Sequence, residues 1–135
     1  MMRIAIVSLL AVVLLVSCAG DKGVGPDGGN HPPVIQEIGD TTAVLGDTLR
    51  IQVVANDRDG DDVHFNLIIQ CSWSDLQQDR CPHAGIKSSD LRFWFWPRTW
   101  DLASRQFLIV ADDGRGGKDS TEFSVAVTAD LSPRL

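Results

Sequence analysis

The sequence predicts an all-β domain, and three patterns support that prediction. Residues 107–127 hold two runs in which apolar and polar residues alternate, separated by a turn rich in glycine and aspartate. Residues 48–55 and 62–69 alternate in the same way. A period of two residues places one set of side chains against a core and the other in water, which is typical of strands. We therefore expect residues 107–127 to form a β-hairpin, the last two strands of the domain.

Length and charge restrict the class of protein. The chain has 135 residues, enough for one domain, and four Trp and five Phe are available for a core although Tyr is absent. Twelve Lys and Arg against eighteen Asp and Glu give a net charge of −6. This balance disfavours nucleic acid or an anionic membrane surface as a partner.

The N-terminal segment has the pattern of an export signal. Arg3 precedes the apolar stretch 4–16, which is shorter than the roughly 20 residues that a membrane-spanning helix needs. Residues 15–18, LVSC, resemble the lipobox of bacterial lipoproteins. The resemblance implies a signal peptide over residues 1–17 and a lipid anchor on Cys18, with Ala19 favouring the outer membrane if the host has two membranes. The alternative is an ordinary signal peptide with an unrelated cysteine.

The cysteine count agrees with an anchor at the N-terminus. There are three cysteines, an odd number that needs explaining in an exported chain. If Cys18 carries lipid, Cys71 and Cys81 remain as a possible disulfide, which would stabilise the fold by about 3 kcal/mol at most. The alternative is a zinc site with Cys71, Cys81 and His83, but its fourth ligand is missing.

Domain boundaries follow from composition. Residues 18–30 are rich in glycine and predict a flexible tether between the lipid and a domain over residues 31–129, with a tail at 130–135. Pro32 and Pro33 stiffen the start of the domain. Residues 34–38 and 41–44 then predict a broken first strand at a sheet edge.

Two strands end in the same acidic pattern, an inward Ala, a spacer and an Asp beside a glycine turn. The first ends at Ala55 and Asp57, and the second at Ala111 and Asp113. Together with the segments 30–33 (NHPP), 55–61 (ANDRDGD), 95–97 (FWP) and 111–120 (ADDGRGGKDS), this pattern resembles bacterial cadherin-like and immunoglobulin-like (Ig-like) domains over residues 30–128.

The resemblance implies a fold and a metal site. The fold is a seven-stranded antiparallel Greek-key β-sandwich. The implied ligands of Ca²⁺ are Asn30, Asp57, Asp59 and Asp113, at one end of the sandwich. Ca²⁺ takes about six to eight oxygen ligands, and no preceding domain is present in this sequence to complete the set, so binding is expected to be weak. The alternative is that these Asp and Gly residues only form turns.

The middle of the chain offers a second candidate surface. Residues 70–89 predict an irregular polar loop enclosed by the two cysteines. In residues 91–97, alternation places Leu91, Phe93 and Phe95 inward and turns Trp94 and Trp96 outward near Trp100. These three Trp residues would form either an exposed platform for sugar rings or a small cluster under the disulfide loop.

Known catalytic motifs such as G-x-S-x-G, H-E-x-x-H and the P-loop do not occur in the sequence. The sequence thus predicts a non-enzymatic binding or structural module of the bacterial cell envelope. Its expected partners are the membrane, through the lipid, and an envelope protein or polysaccharide. A carbohydrate-binding module that uses the Trp residues is the first alternative, and a small envelope hydrolase is the second.

Overall fold

The computed structural model describes residues 29–129, and almost all regular secondary structure within this range is β-strand. Its elements are β1 (Val34–Ile35), β2 (Thr41–Val44), β3 (Leu49–Gln52), β4 (Ala55–Asn56), β5 (His64–Ile69), α1 (Trp73–Gln77), β6 (His83–Lys87), β7 (Arg92–Trp96), a 3₁₀ turn (Thr99–Asp101), β8 (Ser104–Asp112) and β9 (Lys118–Thr128). The predicted signal peptide, Cys18, most of the tether and the tail 130–135 lie outside the described residues. Neither helical segment within 29–129 has the length and apolar character needed to cross a bilayer.

Two sheets face each other and form a β-sandwich. One has the strand order β2-β9-β8-β5 and the other the order β3-β7-β6, while β1 and β4 form a small separate pair. The predicted hairpin is confirmed as β8 and β9, paired from Asp112↔Lys118 to Ser104↔Ala126. One pair departs from the predicted antiparallel pattern: β2 lies parallel to β9, from Thr41↔Val125 to Val44↔Thr128.

The core between the sheets is aromatic. Phe93 and Phe95 of β7 meet Phe107 of β8 and Phe123 of β9, with ring centroids 5.0–5.7 Å apart. These are edge-to-face or tilted arrangements that such rings prefer. The core cluster also contains Ile35, Ile38, Ala43, Val53, Ile109, Ala111, Val125 and Val127. The alternation in the sequence therefore predicted the buried faces of β7, β8 and β9.

Residues 70–89 differ from the irregular loop that was expected. Cys71 and Cys81 form the predicted disulfide, so both thiols are taken and the zinc alternative does not hold. Between them lies the five-residue helix α1, which begins where the Ser72 hydroxyl accepts a hydrogen bond from the Asp75 N–H at 3.1 Å. The next strand, β6, contributes only Ala84 and Ile86 to the core. So short an apolar pattern did not stand out in the sequence.

Leu91 was expected in the core and is instead 40% exposed. It lies in the turn that precedes β7, where its φ of 50° is unusual for a residue with a side chain. Its carbonyl accepts a hydrogen bond from the Val53 N–H at 2.9 Å. This hydrogen bond extends the pairing of β3 with β7 beyond Gln52↔Arg92.

Candidate functional site

The loop between β4 and β5 gathers three carboxylates. One oxygen of Asp57 accepts hydrogen bonds from the N–H groups of Asp59 (2.8 Å) and Asp61 (3.2 Å), a local turn typical of Asp. Gly60 allows the chain to reverse with a φ of 79°. As a result, carboxylate oxygens of Asp57, Asp59 and Asp61 lie within 4.8 Å of one another.

Two oxygens of this triad make no hydrogen bond within residues 29–129. They are Oδ2 of Asp57 and Oδ2 of Asp61, and both are buried. A buried carboxylate oxygen without a partner is costly, because it has lost its hydration without replacement. Carboxylate oxygens in this arrangement are the ligands that Ca²⁺ prefers. The donor set of the triad therefore fits a hard divalent cation.

The start of the domain closes over Asp59. The His31 N–H donates to Oδ2 of Asp59 at 2.6 Å, and Nδ1 of His31 lies 2.9 Å from the other oxygen. Nη1 of Arg58 lies 3.2 Å from Nε2 of His31. The hydrogen bond from the His31 backbone, and then those of its ring, hold the pKa of Asp59 below its usual value. Asp59 is therefore ionised under ordinary conditions, with its side chain only 1% exposed.

Asp113 holds the adjacent turn between β8 and β9. One oxygen accepts from the N–H groups of Arg115 (2.7 Å) and Gly117 (2.9 Å), and the other accepts from the Asn30 amide at 2.7 Å. Burial raises the pKa of Asp113, but these hydrogen bonds outweigh it and the pKa is lowered overall. Both oxygens are thus occupied by donors of the protein.

The four predicted calcium ligands lie at one end of the sandwich but in two groups. Asp57 and Asp59 belong to the triad, whereas Asn30 and Asp113 bond to each other. Nε of Arg115 reaches Oδ1 of Asp61 at 3.2 Å and connects the two turns. Asp61 was not among the predicted ligands. The D-x-D-x-D spacing of residues 57–61 was the signal that could have identified it.

The second candidate surface is the outer face of β3, β7 and β6. Trp94 of β7 lies across from Arg50 of β3 and Gly85 of β6. A Cβ at Gly85 would come within 2.8–2.9 Å of the Trp94 ring, so the indole covers the glycine. Trp94 and Trp96 line one cleft of about 480 Å³, whose remaining lining residues are Thr48, Arg50, Lys87, Asp90 and Arg92.

Trp96 and Trp100 flank a cation rather than each other. The guanidinium carbon of Arg98 is 5.1 Å from the Trp96 ring centre and 5.3 Å from that of Trp100, which are cation–π distances. Trp96 nevertheless keeps 46% of its surface exposed. The three predicted Trp residues therefore do not form one surface. Trp94 and Trp96 line the cleft, whereas Trp100 packs against Arg98.

A buried ion pair holds the segment that carries Arg98 and Trp100. Asp101 is fully buried, accepts the Arg98 N–H at 2.8 Å and lies 2.9 Å from Nε of Arg105. Arg105 also donates to the Trp100 carbonyl at 2.6 Å. Arg105 is therefore a structural residue, which holds Asp101 and the Trp100 carbonyl together.

Comparisons with known proteins show the fold of this chain but do not assign it to a family. No protein-family model and no curated protein matches this sequence. Among solved structures, an endo-fucoidan hydrolase of glycoside hydrolase family 107 aligns with a TM-score of 0.56 and 17% identity, over 76% of this chain and 14% of that one. A nucleoside hydrolase-related protein of Saccharophagus degradans, associated with carbohydrate metabolism, aligns with a TM-score of 0.54 and 13% identity, over 75% and 26%.

A cadherin structure, PcdhgB3 EC1-4, aligns with a TM-score of 0.54 and 13% identity, over 72% of this chain and 24% of that one. The described chain thus spans between about a seventh and about a quarter of these three proteins. At such low identity the likeness shows the fold alone. The fold defines this chain as an Ig-like or cadherin-like β-sandwich.

Proposed function

We propose that this protein is a lipid-anchored, non-enzymatic binding module of the bacterial cell envelope, and that its acidic end binds Ca²⁺. The observation that carries the calcium proposal is the pair of buried, unpartnered oxygens on Asp57 and Asp61. The triad concentrates three carboxylates within 4.8 Å, and their mutual repulsion is offset in part by the ion pair of Arg115 with Asp61. The cadherin-like fold is consistent with this proposal.

The ion would be held by Asp57, Asp59 and Asp61. It would supply positive charge to the carboxylate oxygens that make no hydrogen bond within the described residues. His31 is bonded to Asp59, and Asn30 to Asp113 on the adjacent turn. Anything that orders the triad therefore also orders the first residues of the domain. Ca²⁺ would in this way stiffen the predicted tether where it joins the sandwich.

The test is a thermal melt of the protein with increasing Ca²⁺, beside Mg²⁺ and a chelator. An ion that binds only the folded state, at ten times its dissociation constant, stabilises it by about 1.4 kcal/mol. We expect the midpoint to rise by a few degrees with Ca²⁺. Asp57→Asn with Asp61→Asn should abolish the rise.

The matched control is Asp47→Asn with Asp79→Asn, which removes the same charge far from the triad. It should keep the full response to Ca²⁺. If millimolar Ca²⁺ leaves the wild-type midpoint unchanged, or if the control loses the response as the triad variant does, the acidic loops are only turns.

The anchor rests on the lipobox pattern at residues 15–18, in a part of the chain outside the described residues. Cys18→Ala should release the protein from the membrane fraction or block its processing, since the thiol is the expected site of lipid attachment. Equal recovery of wild type and variant as soluble protein would exclude the lipoprotein proposal.

Carbohydrate binding at the Trp94–Trp96 cleft is the second candidate function. It is favoured by the 46% exposure of Trp96 and by the close approach of the Trp94 ring to Gly85. Exposed indole faces can stack on sugar rings, and an exposed aromatic patch on a sheet usually marks a contact surface. Two solved structures of similar fold come from carbohydrate-related proteins, which is consistent with this candidate.

A further inference from the structure

The Trp94–Trp96 cleft is surrounded by cationic side chains from all three strands of its sheet. Arg50 of β3 stands opposite Trp94, and Arg92 of β7 stands opposite Lys87 of β6. All three cations line the same cleft as the indoles. Lys87 and Arg92 keep 65% and 52% of their side-chain surface exposed, so their charged groups face solvent.

The charge of the cleft is opposite to that of the protein. Its lining holds three cations and one carboxylate, Asp90, so the local balance is +2 whereas the whole chain has −6. Asp90 lies 3.6 Å from Nζ of Lys87 and 3.9 Å from Nε of Arg92. Exposed pairs at these distances are weak and readily exchanged for another anion. The cations are therefore available to a ligand.

The indoles restrict which anion fits. Arg50 and Gly85 flank Trp94 on the same row of the sheet, and the missing side chain at Gly85 lets the ring lie over the backbone of β6. A flat aromatic face next to a guanidinium suits a ring that carries an acidic substituent, since Arg binds carboxylate or sulfate in a planar, bidentate manner. A neutral sugar could stack on the indoles but would form no ion pair with the three cations.

We infer that this cleft binds an acidic polysaccharide, with sugar rings on Trp94 and Trp96 and their carboxylate or sulfate groups on Arg50, Lys87 and Arg92. The inference rests on the second candidate function and specifies its ligand class. Single-stranded nucleic acid also combines stacking with negative charge. It is disfavoured because single-stranded nucleic acid is bound along an extended cationic groove that follows its backbone, whereas the lining of this cleft holds three cations around two indoles.

The test is calorimetric titration of the full chain with four probes: polygalacturonate, dextran sulfate, neutral hydroxyethyl cellulose and poly-dT. We expect one or both acidic polysaccharides to bind more tightly than the neutral polymer and poly-dT, and raised salt to weaken them. Trp94→Ala, and separately Arg50→Gln with Arg92→Gln, should each weaken that binding by about ten-fold or more. Asp90→Asn should strengthen it several-fold, because it removes the competing carboxylate.

Matched controls lie outside the cleft. Trp73 on α1 is 73% exposed, so Trp73→Ala removes an indole more accessible than those of the cleft, and Arg80→Gln removes an exposed cation. Both controls should bind as the wild type does, and circular dichroism should show every variant folded.

Each contrary result is distinguishable. Neutral cellulose bound as tightly as the acidic polymers would overturn the inferred acidity and leave the second candidate function in place. Absence of binding to all three polysaccharides would overturn both. Preference for poly-dT would replace the glycan with nucleic acid. Equal losses in the cleft variants and the controls would show that the cleft is not the site.

Discussion

At the acidic end, carboxylates are held by backbone N–H groups in turns, whereas on the outer sheet face cations and indoles are placed by strand register. Asp57 and Asp113 each accept two N–H groups from the turn that follows them. Arg50, by contrast, is fixed relative to Trp94 only because β3 and β7 are paired. The two regions should therefore respond to mutation differently. Changes of the backbone should disturb the acidic end, and changes of side chains should disturb the sheet face.

Two glycines make the contrast specific. A Cβ at Gly117 would overlap the Asp113 carboxylate and come within 2.8 Å of the Pro32 backbone. A Cβ at Gly85 would meet only the Trp94 ring. Backbone cannot move aside without disturbing the start of the domain, while a side chain on a surface can rotate away. A side chain at Gly117 would therefore disturb the fold, whereas a side chain at Gly85 would change only the position of the Trp94 ring.

The largest expected effect is that of Asp101→Asn, next to the sheet face. This change leaves Arg105, only 20% exposed, without its carboxylate partner. Removing one partner of a buried ion pair should destabilise the fold by about 3 kcal/mol. Chemical denaturation measures this loss, and Asp47→Asn, an exposed position, should show almost none. A loss of stability below about 1 kcal/mol would mean that water solvates the Arg105 guanidinium in the variant and replaces its ion pair.

Gly117→Ala should have the next largest effect, a loss of about 2 kcal/mol, because the added methyl cannot be accommodated against the Pro32 backbone. It should also weaken the response to Ca²⁺, since Asn30 and Asp113 would separate. Gly39→Ala is the control, as a Cβ there has no neighbour within 4 Å. Equal stability of the two variants would show that the two turns and the start of the domain are not tightly joined.

A smaller effect, a few degrees in the melting midpoint, is expected from acid. The pKa of Asp59 and that of Asp113 are lower in the folded chain than usual. Such carboxyls stabilise the fold above their unfolded pKa of about 3.9, and this stabilisation is lost as the pH falls through the lower folded values. Midpoints measured between about pH 5 and pH 2.5 should therefore fall, and Asp59→Asn should flatten the curve. Parallel curves for wild type and variant would contradict this.

The smallest effect on stability is expected for Gly85→Ala, within about 0.5 kcal/mol of zero, since the gain in strand propensity offsets the displacement of Trp94. Polysaccharide binding should nevertheless fall, because the added methyl displaces the Trp94 ring from its position against Gly85. Denaturation and titration of the same sample separate the two. A strong loss of stability would place Trp94 in the structural core rather than on a binding surface.

Much of the fold could be predicted because alternation reports directly on burial. Phe107, Ile109, Phe123 and Val125 repeat every second residue, and all four are buried. Leu91 continued the same period but lies in a turn, because β7 begins one residue later and the period does not indicate where pairing starts. Helix α1 was missed because five residues capped by Ser72 leave no periodic pattern.

The candidate sites were predictable only where their residues are close in sequence. Asp57 and Asp59 share one loop, and the Trp residues share one strand and the turn after it. Arg50, Lys87 and Arg92 come from three strands, and only the pairing of β3, β7 and β6 brings them to one cleft. Sequence alone contains no register between distant strands, so this cationic set could not be anticipated.

The parallel pairing of β2 with β9 has a mechanical consequence. The domain begins at the acidic end, where His31 bonds to Asp59, and β9 runs away from that end to Thr128 beside Val44. A pull on the two ends of the domain would therefore slide β2 and β9 in opposite directions. Their hydrogen bonds, with that from the Leu45 N–H to the Thr128 carbonyl at 2.8 Å, would be loaded together in shear instead of opening one after another. When the domain is pulled at both ends, this geometry delays unfolding under tension, a property set by the unfolding rate and not by equilibrium stability.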